Sequence, residues 1–456
     1  FFARERNLEF KSENKDSAAD NFRGEPADSQ TLATDTVSFC ADSLPFPENG
    51  HNYNAEWLKL SNQEKLDSVA QVLDLAVSLQ EEGNEALADY YFISAREKIA
   101  DIDQFDDEID KQDYQALLEA IRQNYVEFVA ELDTIPAESS PEAVMVGIEM
   151  AEGDVDETDT LLLDKPEVEI DSSALALLEM NNVQLPPVPI EINRKVENAL
   201  KFFQTKGRKV FTIWLERSEY MVPLIQPILR EEGLPEELVY LSMIESGFNN
   251  RAYSYAHASG PWQFIRSTGK IFGLECGWWY DERRDPVKAT YAACKYLKNL
   301  YLEFNDWYLA LAAYNCGEGR VRRHIRYYNT RDFWELHRLP RQTRNYVPTY
   351  LAALIIANDP EEYGFKSPEY KVREPYDSVM VTECIDLKII ADIVDTDLDC
   401  IRDMNPAIVR WCTPPTEDGV WVKLPEGSAE KFQAKIAEIP ETEKRSWVRH
   451  RVRPGE

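Results

Sequence analysis

From Ile192 to about Gly364, apolar residues recur at three- and four-residue spacing with no alternating stretch between them. That pattern predicts a densely α-helical domain. The spacing predicts helices over 196–204, 216–232, 286–304, 307–314 and 343–357. Asp285-Pro286 reads as an N-cap followed by a first-turn proline, Asp306 as the next cap, and Gly317 and Gly319 as a stop. The stretch Leu234–Gly247 is the most apolar. Pro235 suits a first helical position, Glu236 and Glu237 suit the first turn, and Leu238–Ile244 is apolar on nearly every face, so this helix is expected to be buried. At ~100° per residue, Glu245 then falls over Leu238 and Leu241, inside an apolar stripe, just before Ser246-Gly247 ends the helix. A buried ionised carboxylate is costly unless it is paired or protonated. Burial raises a carboxyl pKa, which suits a general acid near neutral pH. The alternative for Glu245 is a buried acid capping a neighbouring backbone.

The flanks carry different patterns. Residues 1–50 have no periodicity and read as a disordered acidic arm. Residues 51–134 predict a small helical bundle: Asn62 as a cap, a first helix carrying Leu66, Val69, Leu73 and Val77 and stopped by Gly83, then helices near 85–99 and 114–132. Its small and aromatic residues resemble one tetratricopeptide-like unit, and a plain helical spacer reads equally well. Residues 135–190, with six prolines among many acids, predict a mobile linker. After Gly364 the pattern becomes strand (379–381), helix (387–394), helix (398–404) and strand (420–424), a small α+β module within 366–440.

Charge separates the halves further. The chain of 456 residues carries a formal charge of −32, and residues 1–190 hold 43 acids against 12 bases. An arm so acidic would repel phosphate, which argues against nucleic acid as its partner; positioning the protein, binding a protein partner and merely spanning distance stay open for that region. Residues 191–365 hold 21 acids and 24 bases, compatible with an anionic polymer. No run of eighteen apolar residues exists, so any membrane attachment is expected through an anchor outside this chain. The first residue is Phe rather than Met, as expected of a chain that follows a removed leader. The seven cysteines form no Cys-x-x-Cys pair and the five histidines are dispersed, so no metal is expected; disulfides in an oxidising compartment remain open, without an assignable pairing.

Three stretches carry the candidate chemistry: Glu245-Ser246-Gly247-Phe248, then Ala258-Ser259-Gly260-Pro261-Trp262-Gln263-Phe264, then Ala312-Ala313-Tyr314-Asn315-Cys316-Gly317-Glu318-Gly319-Arg320-Val321. In this order and spacing, with Asp285-Pro286, Asp306-Trp307 and Thr343-Arg344-Asn345-Tyr346-Val347-Pro348, they resemble the lytic transglycosylases of the soluble-transglycosylase type, which have a goose-lysozyme-like fold. The resemblance covers roughly 195–365. It is nearest to the membrane-bound lytic murein transglycosylase D type, whose catalytic domain is followed by LysM modules. Residues 366–440 look like a degenerate LysM, with Leu387-Lys388-Ile389-Ile390-Ala391 and Ile401…Asn405-Pro406 kept and the Gly-Asp-Thr opening replaced by Val381-Thr382-Glu383-Cys384. Residues 441–456 look like a linker and the start of another LysM.

The fold expected is therefore mainly α: a lysozyme-like catalytic domain over 191–365, preceded by the acidic arm and bundle and followed by the LysM-like module. The resemblance implies that Glu245 is the sole acid/base, cleaving the β-1,4 bond between N-acetylmuramic acid and N-acetylglucosamine of peptidoglycan without a cofactor. It implies that Gln263 and Asn315 bond sugar or acetamido groups, that Ser246 supports Glu245 or the developing oxocarbenium, and that Tyr314 and Tyr346 line the cleft, with Tyr346 bonded to Glu245. Pro261, where the commonest pattern has Leu, would stiffen its loop. A periplasmic, cell-envelope location is implied. Two other readings stand beside this one. A hydrolytic muramidase would need a second acid, for which Asp281, Asp285 and Glu318 are near in sequence. A non-catalytic wall-binding protein would keep the fold alone.

Overall fold

The computed structural model describes residues 60–100, 102, 111–132, 144–145, 147–148, 184–254, 257–372, 374–416, 418–440 and 444. The acidic arm, most of the expected linker and the expected second LysM start lie outside these residues. The described chain is mainly helical, with one two-stranded sheet.

The N-terminal bundle consists of α1 (Asn62–Glu81), α2 (Glu85–Ala100) and α3 (Lys111–Glu131). The cap of α1 is Ser61, not Asn62: Ser61 Oγ accepts from the Glu64 N–H, and Glu64 returns a bond to the Ser61 N–H. That reciprocal pair needs an acid three residues on, which Ser61 has. Phe92, Tyr125 and Phe128 pack together inside, and Tyr125 donates to Asp89 Oδ1 at 3.2 Å.

The central helices are α4 (Arg194–Gln204), α5 (Arg208–Glu231), α6 (Val239–Ser246), α7 (Arg266–Ile271), α8 (Pro286–Phe304), α9 (Trp307–Cys316), α10 (Glu318–Tyr328) and α11 (Arg341–Asn358). Asp285 and Asp306 cap α8 and α9 as their sequence predicts. Helix α5 begins eight residues earlier than expected and runs through Pro223 and Pro227. Pro223 has no N–H for the Glu219 carbonyl one turn back; the Lys371 N–H takes that place at 2.8 Å. Helix α11 is buried along most of its length and packs on α4, α6 and α9, so it is the axis of the domain.

Residues 184–190 are not a mobile linker. Their carbonyls are held by Trp307 (Nε1 to Pro186 O, 2.7 Å) and Tyr308 (Oη to Pro189 O, 2.8 Å), and the Val188 N–H donates to Glu237 at 2.9 Å. Prolines fix an extended backbone whose carbonyls project as acceptors; two side chains of the helical domain donate to them, and a third accepts from a backbone N–H.

The C-terminal module is β1 (Tyr376–Val381), α12 (Leu387–Ile393), α13 (Leu398–Met404), β2 (Val420–Pro425) and α14 (Ala429–Glu438). The strands are antiparallel, with Val379 opposite Val422. Inward Val379, Val381, Val422 and Leu424 meet Leu387, Ile390, Ile401 and Phe432 in one core. The sequence pattern did not predict α14. The module docks on the loop before α8. The Asp281 N–H donates to Ala407 O at 2.8 Å, the Val409 N–H to Trp279 O at 3.1 Å, and Tyr280 packs against the module core. Lys423 Nζ lies 2.8 Å from Asp285 Oδ2, so the acid that caps α8 is also half of a buried ion pair.

Burial disfavours the Asp285 carboxylate, but Lys423 and the Val287 and Lys288 N–H groups outweigh that and hold its pKa below the ordinary range. Lys423→Ala should lower the unfolding temperature by roughly 5–10 °C at pH 7, because it leaves a buried charge without its cation. A depressed pKa contributes stability above the unfolded value and loses it as pH falls through the folded one. The gap between the two proteins in thermal melts should therefore narrow below about pH 4.

Candidate active site

Helix α6 presents Glu245 at its end. Every other residue of α6 is buried, while Glu245 is partly exposed. The expectation of full burial in an apolar stripe is thus corrected. The segment opens with a 3-10 turn (Glu236–Leu238), and α6 proper begins only at Val239. At its other end Gly247 turns left-handed (φ 57°) and closes the helix by donating to Met243 O at 2.7 Å. The helix therefore ends one residue after Glu245. Trp214 lies against Gly247 so closely that a Cβ there would be 2.2 Å from the indole nitrogen.

Tyr346, on the buried helix α11, donates its hydroxyl to Glu245 Oε1. Burial, and then the charge of Glu245, pushes the Tyr346 phenol well above its ordinary pKa, so it stays a donor at any physiological pH. Tyr314, on α9, is raised for the same two reasons. Its hydroxyl donates to Trp262 O at 2.7 Å, and its ring packs 5.2 Å from that of Tyr296. Tyr314 is thus a strut under the 258–264 loop as well as a neighbour of Glu245.

That loop is fixed from several sides. Pro261 O accepts from Ser242 (2.9 Å) and Ser246 (3.0 Å). Trp262 is fully buried, and its Nε1 donates to Thr290 Oγ1 at 2.9 Å. Arg283, 5 % exposed, donates to His257 O (2.8 Å) and Phe264 O (2.9 Å) while paired with Asp281 at 2.8 Å. Burial disfavours the Asp281 carboxylate, but the bonded guanidinium outweighs it and holds the pKa low. At the tip Gln263 adopts φ 47°, and its amide donates to Gly260 O at 2.7 Å.

The sequence-predicted residues fall into two groups. Glu245, Tyr346 and Tyr314 converge from three helices. Gln263 sits on the loop that α6 and Tyr314 brace. Ser246 is 3 % exposed, and its hydroxyl is engaged by Ser242 O and Pro261 O, so it holds the loop from inside. Asn315 accepts from Thr343 Oγ1 at 2.7 Å, linking α9 to the start of α11. Arg283 was missed in the sequence, and its only signal was a charged run, Asp281-Glu282-Arg283-Arg284, beside an apolar helix. The three candidate second acids are all buried. Asp281 is paired with Arg283, Asp285 is paired with Lys423, and Glu318 accepts from the Tyr296 hydroxyl at 3.5 Å with its pKa raised by burial. Among the described residues no cluster of three or more His, Cys, Asp or Glu is arranged to hold a metal.

Residues 223–337 match the family model described as Transglycosylase SLT domain. They include every candidate site residue except Tyr346. Across a longer stretch the chain is 32 % identical over 252 residues to the membrane-bound lytic murein transglycosylase D of Escherichia coli (strain K12), covering 54 % of this chain and 55 % of that protein. The protein of the same name from Escherichia coli O6:H1 gives the same figures. The chain thus spans about half the length of the curated relatives it matches. Among solved structures, the 70 kDa soluble lytic transglycosylase of Escherichia coli aligns over 69 % of this chain and 49 % of its own at 18 % identity, with a TM-score of 0.29, a likeness too slight to argue from.

Gly260 has φ 82°, and a Cβ there would stand 1.7 Å from the Arg283 carbonyl oxygen, whereas nothing lies within 4 Å of a Cβ on Gly319. Gly260→Ala should cost about 3 kcal/mol of stability in chemical denaturation. Gly319→Ala, inside helix α10, should stay within about 1 kcal/mol of the parent, on the stabilising side.

Proposed function

We propose that this protein is a murein lytic transglycosylase in which Glu245 acts first as acid and then as base. The observation that carries the reading is the contrast among its carboxylates. Glu245 is partly exposed at a helix end and bonded by a permanent phenol donor, while Asp281, Asp285 and Glu318 are 6 %, 6 % and 0 % exposed. Hydrolysis by two carboxylates needs a second one facing the cut bond. A single carboxyl suffices when the substrate supplies its own nucleophile.

In this reaction Glu245 gives its proton to the oxygen bridging N-acetylmuramic acid and N-acetylglucosamine as that bond breaks toward an oxocarbenium-like state. The carboxylate left behind removes the proton of the muramoyl C6 hydroxyl. That oxygen closes on C1, giving a 1,6-anhydro end and a Glu245 carboxyl restored to its starting state. Tyr346 holds the carboxylate in one orientation through both steps. In this reading the amides of Gln263 and Asn315 bond acetamido or hydroxyl groups of the sugar, exchanging the intramolecular bonds they now make, and Tyr314 lies beside it. The substrate is then peptidoglycan glycan, which places the protein in the cell envelope on the periplasmic side.

Glu245→Gln should reduce release of muropeptides from purified sacculi by about 10³-fold while sacculus pull-down persists. Mass spectrometry of the parent's products should show anhydromuramoyl ends, and hydrated reducing ends would instead establish a muramidase. Tyr346→Phe keeps the ring and removes only the donor, so kcat should fall by about 10-fold with KM little changed.

A further inference from the structure

The C-terminal module holds two cysteines that the chemistry above does not use. Cys384 leads from β1 toward α12, and Cys412 lies on the segment between α13 and β2, with 7 % and 0 % exposure. Their sulfurs stand 3.4 Å apart. The two segments are already tied together. The Thr413 N–H donates to Ile385 O at 2.9 Å, the Leu387 N–H to Trp411 O at 2.8 Å, and Thr413 Oγ1 bonds both the Ile385 N–H (2.9 Å) and Glu383 O (2.6 Å). Asp386 and Cys412 form a β-bridge. A disulfide needs ~2.05 Å between sulfurs, so an approach of about 1.4 Å would close it.

We propose that Cys384 and Cys412 are a disulfide-forming pair that staples the module's docking segment in place. The bond would enclose residues 385–411, which contain α12, α13 and the stretch 407–411. That stretch carries the Ala407 carbonyl that receives the Asp281 N–H, the Val409 N–H given to Trp279, and Arg410, which stacks 3.7 Å over Trp278. Closing the loop restricts the unfolded chain and fixes the edge that meets the helical domain.

The oxidant is a second disulfide, small or protein-borne. Cys384, the more exposed of the pair, loses its proton to solvent, and its thiolate attacks that disulfide, forming a mixed disulfide and releasing one thiolate. Cys412, deprotonated in turn, attacks the Cys384 sulfur and releases the other thiolate. Two electrons and, after protonation, two protons end on the oxidant.

The test uses the full chain incubated with oxidised glutathione, alkylated under denaturing conditions and mapped without reduction. The expected result is one cross-linked peptide joining Cys384 to Cys412, lighter by two hydrogens, with both residues alkylated only after reduction. Full alkylation of both without reduction, or pairing of either with another cysteine, overturns the proposal. Reduction should also lower the unfolding temperature of the oxidised parent by about 5 °C and leave Cys384→Ser/Cys412→Ser unmoved. An equal fall in both proteins overturns it as well.

Discussion

The buried guanidinium of Arg283 sets the frame for the candidate site. It pairs with Asp281 and donates to the carbonyls of His257 and Phe264. Taking such a cation out of water is tolerable only when its donors are satisfied, and both ends of the 258–264 loop meet that demand. The residue beside it, Asp281, gives its own N–H to the C-terminal module. One short stretch of chain thereby fixes the loop that carries Gln263 on one side and the module on the other. Gly260 is required where that loop passes the Arg283 backbone, since no side chain fits between them.

Within this frame the acid and its surroundings have separate supports. Glu245 depends on α6 ending at Gly247, and Tyr346 depends on the central helix α11. The two meet because α11 packs across α6. Ser246, Ser242, Thr290 and Tyr314 spend their hydroxyls on the backbone or side chains that shape the loop. The side chains nearest the acid thus act mainly as scaffolding. Glu245 itself stays partly exposed, as a group that must exchange protons with a bound substrate requires.

Much of this was readable along the chain wherever the cause is local. Asp285, Asp306 and Gly247 mark helix ends because caps and left-handed glycines act within a turn or two. The helical and α+β character of the two regions follows from apolar spacing. Tyr346 was expected beside Glu245 only through the family's motif, since the two are 101 residues apart. Other features were hidden for physical reasons. The start of α5 has no side-chain cap at Gly207 to announce it. The prolines of 184–190 look like a linker until the Trp307 and Tyr308 donors are seen. Glu245 was expected to be buried because helical periodicity places it among apolar neighbours and cannot show that its own side chain stays partly open. Lys423 carried no sign that its partner would be a helix cap 138 residues earlier.

The Lys423–Asp285 pair and the Ala407 carbonyl have a consequence for how such a chain can be recombined. Small appended modules can be pictured as beads exchanged along a string. Here the bead supplies a cation to a helix cap and an acceptor to the loop that steadies the candidate site. A foreign module spliced in at residue 366 would bring neither, leaving Asp285 to find water or stay uncompensated. The junction therefore behaves as a seam within one folding unit, and any graft that crosses it must carry both of its edges.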